Sequence, residues 1–368
     1  MRNLRLDSLR GIAALCVLLH HALHISNAGL ESRLLAPSIY DIAPSDLLGR
    51  IIVMATNGGM AVWIFFVLSG AVLMASLLRE ERFTLATVVN FTGRRVFRIY
   101  PALIVAVVAF GAASHLQLPA GYSQPFTVSE ILENSLLVSS TVNGGTWTLQ
   151  TEMLMVPLLL AIGWLTSLFG LLVPVAFLFW APTTLILGSP FGSPLLTIAL
   201  PAFALGMLVP TRMAEDAFKQ LPRWSWLLFL GAMVGARVYF SINSLLGILV
   251  ILFLAFCGIA SLYHGKERKH PFDHPWLVFL GRVSYSVYLL HVMVVWGLFS
   301  VYANLIGASR IAESYLLFGG LFAIGAAAIT IPLSYLLERY VERPFIMLGQ
   351  RLFAKRVAEP VSSRLAAP

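Results

Sequence analysis

The sequence predicts an all-α protein built as a polytopic membrane bundle of about ten transmembrane helices, with both termini in the cytoplasm. Three observations carry this. Of 368 residues, 58% are hydrophobic and only 11% charged, with a mean hydropathy of +0.84; soluble domains hold roughly 25% charged residues. Ten apolar segments have the length needed to cross a hydrocarbon core. The basic residues alternate from loop to loop in the way that membrane insertion imposes.

In order, the expected spans are 9–27, 58–79, 100–117, 147–165, 168–188, 194–210, 224–241, 244–263, 276–302 and 313–337. The first begins like a signal peptide, MRNLRLDSLR and then an apolar run, but His20 and His21 interrupt the run and no A-x-A site follows. It reads as an uncleaved span. With the N-terminus inside, 21 of the 25 Lys and Arg residues fall in inner segments, and Arg33, Arg50, Arg237 and Arg310 are left outside. An odd number of spans would break this alternation. Outer loops are then 28–57 and 118–146, the second rich in Pro, Gly and Ser. Cysteines placed at Ser38 and Ser123 should react from outside, and one at Ala217 only from inside. Residues 1–345 form one membrane domain, and 346–368 a short cytoplasmic tail that reads as a helix fragment followed by disorder. No repeat and no soluble second domain is evident.

The net charge of +8 follows from the inner-loop bias and does not call for nucleic acid. Cys16 and Cys257 both sit in apolar runs. Two such residues make neither a disulfide framework nor a metal site. No P-loop, G-x-S-x-G elbow, zinc-ligand spacing or H-x-x-x-x-D signature occurs. No metal and no bound cofactor is expected.

Polar groups inside apolar spans are costly and are usually kept for function. Arg10 and His21 are eleven residues apart, which on an α-helix returns a side chain to within about 20° of its starting direction, about 16 Å along the axis. Asp7 and His24, one turn beyond each, share that face. His is the natural general base near neutral pH, and Arg10 lies near the inner surface, where it can meet an anion. The loop between spans 2 and 3 carries GRRVFRIYP, residues 93–101. Arg94, Arg95 and Arg98 there suit a phosphate clamp through the bidentate arginine fork, although a topology anchor would look the same. Glu152, at the outer end of span 4, needs a partner to be buried as a carboxylate. In span 9, Ser284, Tyr288 and His291 share a helical face, with Arg282 and Tyr285 nearby.

Read together, these stretches resemble the acyltransferase 3 membrane proteins. LDSLRGIAALCVLLHH (6–21) is similar to the family's N-terminal signature, with its R-x10-H pair at Arg10 and His21. WIFFVLSG (63–70) resembles the second-span signature and RRVFRIYP (94–101) the R-x-x-R segment, falling on Arg95 and Arg98. WTLQTE (147–152) resembles W-S-L-x-x-E with Thr148 in place of Ser. SYSVYLLH (284–291) and ERPF (342–345) resemble the C-terminal signatures.

The resemblance implies a ten-span bundle that moves acyl groups, usually acetyl, from cytoplasmic acyl-CoA to extracytoplasmic glycans, in the inner membrane of a bacterium. It implies His21 as general base or transient acyl carrier. Arg10 would polarise the thioester or hold CoA, and Asp7 would orient it. Arg94, Arg95 and Arg98 fall on the donor side; Glu152, His291, Tyr288 and Ser284 fall on the acceptor side. The partners are then acyl-CoA, a polysaccharide or lipid-linked glycan and the bilayer. The esterase-like SGNH domain fused to some members is not expected, since only 24 residues follow Pro344. Two other readings stay open from the residues: a proton-coupled secondary transporter, which would also use intramembrane Arg, His and Glu but for which no repeated halves are visible, and a non-catalytic partner in a glycan-synthesis complex.

Overall fold

A computed structural model describes residues 3–27, 29–35, 39–80, 82–116, 124–188, 192–241, 244–265 and 270–353. Ser38, Ser123, the basic residues 266–269 and the tail from 354 on lie outside them. The described residues are helical, with no strand. In order the helices are α1 Leu4–Ser26, α2 Leu47–Ala55, α3 Gly58–Leu77, α4 Leu85–His115, α5 Val128–Ser135, α6 Trp147–Phe169, α7 Leu172–Trp180 and α8 Thr184–Leu187. There follow α9 Pro194–Leu208, α10 Arg212–Phe218, α11 Ser225–Tyr239, α12 Leu245–His264, α13 Pro275–Ile306, α14 Ala308–Glu313, α15 Tyr315–Leu337 and α16 Arg343–Leu352.

All ten apolar segments are helical, yet ten full spans do not emerge. Among the described residues, seven helical stretches are long and apolar enough to cross a bilayer, or eight if α9 and α10, bent by 76°, count as one. The expected span 168–188 breaks at Ala181–Thr183 into α7 and α8, and α11 has 15 residues, short of the roughly 20 that a straight crossing needs.

Helix starts follow local chemistry. Asn3 caps α1 by accepting from the Arg5 and Leu6 amides. Asn57 caps α3 through the Met60 amide, and Thr84 and Thr87 form a reciprocal capping box on α4. That box moves a boundary. Residues 93–101, expected as a loop, lie inside α4, a 31-residue helix that runs through Pro101. Within 118–146, the amide and hydroxyl of Thr127 both donate to Glu130 at the start of α5. These bonds hold that carboxyl below its usual range. Residues 346–352 belong to α16, the helix fragment expected in the tail. Phe97 of α4 packs against Gly349, and Phe353 packs against Phe97 and Gly93.

At the centre, α1 is enclosed by α3, α13 and α15. It crosses α13 backbone to backbone. A Cβ on Gly11 would lie 2.5 Å from the Gly281 nitrogen, and one on Gly281 would lie 2.3 Å from the Asp7 carbonyl oxygen. Gly70 and Gly206 allow the same approach between α3 and α9. Lipid tails are as apolar as the helices, so close packing over small residues holds such bundles together. Gly281→Ala should therefore push apart the two helices that carry Asp7, Arg10, Ser284 and Tyr288. A loss of about 1–3 kcal/mol is expected, read as a lower melting temperature in detergent together with reduced activity. Gly325→Ala, where a Cβ meets nothing within 4 Å, is the control and should keep both. A Gly281→Ala protein that melts like the control would show that the crossing relaxes freely.

Candidate functional site

The face of α1 expected from spacing is present and turned inward. Asp7 is buried, and its carboxylate lies 3.5 Å from the Arg10 guanidinium. Both line a cavity of about 1090 Å³ at the N-terminal end of the bundle, a volume at the upper end for small-molecule sites. Its walls come from α1, α3, α4, α12, α13, α16 and the turn between α15 and α16. Arg5 is tied to Asp273 at 3.4 Å and to the Gly265 carbonyl, and Arg282 lies 3.7 Å from Glu338. Arg79, Arg98 and Arg343 line the same cavity and take part in no ion pair among the described residues. Glu342, buried and bonded by the Ser286 hydroxyl at 2.8 Å, is a further wall carboxylate. The cavity is thus cationic, with its arginines outside the ion pairs just past the end of α3, on α4 and on α16.

A smaller cavity of about 80 Å³ adjoins it and shares Arg10, Arg98, Ser284 and Tyr285 with it. Here the structure redraws the expected division into a donor side and an acceptor side. Arg95, expected among donor-binding arginines, forms an ion pair with Glu152, expected on the acceptor side. The Ser69 hydroxyl donates to the same carboxylate oxygen at 3.0 Å. All three line the smaller cavity beside Arg10. The physical reason is mutual desolvation: neither charge is tolerable alone at that depth. Arg95 is therefore held by a protein carboxylate, and Arg98 remains as the member of the basic segment that faces both cavities. Arg94 is exposed, donates to the Phe353 carbonyl and lines neither cavity. It ties α4 to the end of α16.

Three expected residues of α13 come together as their spacing requires. Ser284 lines both cavities. Tyr288 donates to the Gly145 carbonyl at 2.8 Å and receives the Thr148 hydroxyl at 2.8 Å, which anchors the start of α6. His291 is fully buried one turn further on. Its ring centroid is 5.1 Å from that of His21, so the two histidines singled out from distant segments meet. In each, Nδ1 lies within bonding range of a backbone carbonyl, Val17 at 2.9 Å for His21 and Tyr288 at 2.7 Å for His291. A carbonyl can only accept, so Nδ1 donates and the neutral ring keeps its lone pair on Nε2. The Nε2 of His291 is buried without a partner. Neither histidine lines the two cavities; they lie just beyond Tyr288, whose ring is 5.6 Å from that of His291.

Sequence reasoning did not single out Ser69, Arg79, Glu342 or Arg343. Ser69 and Glu342 sat inside quoted motifs, WIFFVLSG and ERPF. The spacing of Glu338 and Glu342, four apart before a basic helix, was the available signal. A π-helical stretch over Glu338–Glu342 links α15 to α16 and presents both carboxylates to the cavity, a distortion common at functional sites.

No curated protein and no solved structure was found to match this chain. A family model described as an acyltransferase domain matches residues 3–339. That stretch contains α1 through α15, the large cavity's arginines except Arg343, and the His21–His291 pair. The chain belongs to the acyltransferase 3 family and is a multi-pass membrane protein that transfers acyl groups.

Proposed function

We propose that the protein is an O-acyltransferase that takes an acetyl group from acetyl-CoA at its cytoplasmic, N-terminal end and passes it to a hydroxyl of a polysaccharide or lipid-linked glycan on the other side of the inner membrane of a bacterium. The observation that carries this is a large cationic cavity at one end of α1 and, beyond Tyr288, a pair of histidines in contact, His291 buried and His21 half-buried, whose Nε2 atoms have no protein partner among the described residues. Arg79, Arg98 and Arg343 suit the phosphates of CoA, since guanidinium and phosphate pair through two parallel hydrogen bonds. Arg10 and His21 stand about 16 Å apart on one helix. One thioester carbonyl cannot touch both. Of the two roles open to Arg10, holding the donor is therefore the one that fits, with Asp7 steadying the guanidinium. The long arm of CoA then reaches past Ser284 and Tyr288 towards His21.

In the transfer, the lone pair on His21 Nε2 takes the proton of the sugar hydroxyl as its oxygen attacks the thioester carbon. The carbon–sulfur bond breaks, and the imidazolium returns the proton to the thiolate, giving the ester and free CoA thiol. If His21 instead carries the acetyl group, Nε2 attacks first and the hydroxyl attacks the acetyl-imidazole second; the overall balance is the same. The deciding experiment is mass analysis of surface glycans with and without the protein, paired with reconstituted protein fed labelled acetyl-CoA. Label should appear on glycan with one thiol released per acetyl moved. Glycans that keep every acetyl group without the protein, or thiol release with no glycan label, would overturn the reading.

Sidedness is tested by thiol labelling. Ser38 and Ser123 lie outside the described residues, so Ser45 and Ser129, exposed in the same two segments, take their place. Without Cys16 and Cys257, cysteines at Ser45 and Ser129 should react with an impermeant reagent on spheroplasts. One at Ala217, exposed on α10, should react only after permeabilisation. The reverse pattern would put donor and acceptor on the wrong sides.

A further inference from the structure

We propose that Arg237, with Arg50 beside it, binds an anionic group, a carboxylate or a phosphoryl group, on the molecule that receives the acyl chain. The inference deepens the acyl-transfer reading and rests on it for the word "receives"; the anion site itself stands on separate observations.

Arg237 lies in the last turn of α11, and Arg50 lies on α2, packed against it. Both residues are buried, at 3% and 0% exposure. Arg50 serves the fold, since its Nε–H donates to the Val238 carbonyl at 2.9 Å and caps the end of α11. Arg237 has no comparable structural role. It takes part in none of the ion pairs among the described residues. Its one hydrogen bond there is a long N–H to the Phe240 carbonyl at 3.4 Å, although a guanidinium offers five donors. Arg50 lies close by, since it donates to the carbonyl of the residue that follows Arg237. A buried cation with most of its donors unmatched among the described residues is expensive. A bound anion removes that cost.

Position supplies the chemistry. Val238, the next residue, packs against the buried cluster that contains Leu23 of α1, one turn beyond His20, which sets the end of α11 beside the histidine end of that helix. His20 lies 5.5 Å from His21 and 3.9 Å from His24, centroid to centroid. It is about 15 Å along α1 from Arg10. The arginine pair therefore lies on the opposite side of the histidines from the donor cavity. A ligand whose anionic group rests on Arg237 would reach towards His21 from the acceptor end. An acidic sugar or a sugar phosphate has the required form, since the arginine fork matches both carboxylate and phosphate.

The test titrates the full-length protein in lipid nanodiscs with glucuronate, with inorganic phosphate and with uncharged glucose, by calorimetry. At least one anion should bind at least about tenfold more tightly than glucose, and the tighter of the two identifies the source of the charge. Arg237→Gln should weaken that anion by about 10- to 100-fold, and Arg237→Lys by less, because it keeps the charge and loses the fork. Acetyl-CoA affinity should be unchanged in both, which reports an intact donor end. If Arg237→Gln does not fold, Arg237→Lys alone carries the comparison with wild type. Equal anion affinity in wild type and the variant that folds, or no anion binding by wild type that still binds acetyl-CoA, would overturn the site. Anion binding that needs Arg237, in a protein that acetylates no glycan, would keep the site and overturn the acyl-transfer reading instead.

Discussion

Replacing His21 by alanine is expected to abolish acyl transfer while leaving the protein inserted and folded. Positioned general bases contribute about 10²–10⁴-fold, and a group that carried the acyl chain itself would take the whole reaction with it. The ring can be removed without unmaking the bundle because its described hydrogen bond stays within its own helix, from Nδ1 to the Val17 carbonyl. The informative comparison is His21→Ala against His291→Ala, each assayed for glycan acetylation and for acetyl-CoA binding. His291 is fully buried and touches His21 edge to face; its loss should lower turnover by orienting His21 less well, and should also cost stability. Normal acetyl-CoA binding with no turnover in His21→Ala supports the assigned role. Activity within a few-fold of wild type would remove His21 from the chemistry.

The second large effect is expected at Glu152. Its carboxylate receives the Arg95 guanidinium and the Ser69 hydroxyl, deep between α3, α4 and α6. Glu152→Ala leaves a buried guanidinium without its counter-charge, and breaking such a pair costs about 3–5 kcal/mol. The double change Arg95→Met with Glu152→Leu removes both charges and should recover most of that loss, since a buried ion pair is often no better than apolar side chains of similar size. Unfolding by denaturant in detergent, followed by helix content, reads both variants. A Glu152→Ala protein as stable as wild type but inactive would mean that the carboxylate serves the reaction rather than the fold. A double variant no better than the single would mean the same of the pair's geometry.

Much of this was legible without the fold. Hydropathy over windows of 20 residues is a local property, so all ten apolar segments were found and all are helical. The shared face of Asp7, Arg10 and His21 followed from the 100° step of one helix, as did the face of Ser284, Tyr288 and His291. The family was legible too, because its motifs are short runs of neighbouring residues. Helix lengths were less so: the Thr84 capping box carried α4 back through the basic segment that hydropathy read as a loop.

The chain alone therefore dictated the helical membrane class, the family and which faces carry chemistry. Who meets whom was left to the packing of the helices. Arg95 and Glu152 are 57 residues apart, and nothing in either neighbourhood names the other. Their pairing follows from how α4 and α6 pack, and it joins two residues expected on opposite sides of the site. The same packing set His21 against His291, turned Glu342 into the large cavity and left Arg237 buried near Arg50. Spacing along one helix fixes direction around that helix alone. Contact between helices depends on close approach, and here it is permitted by glycines such as Gly11 and Gly281, whose missing side chains leave no hydropathy signal of their own.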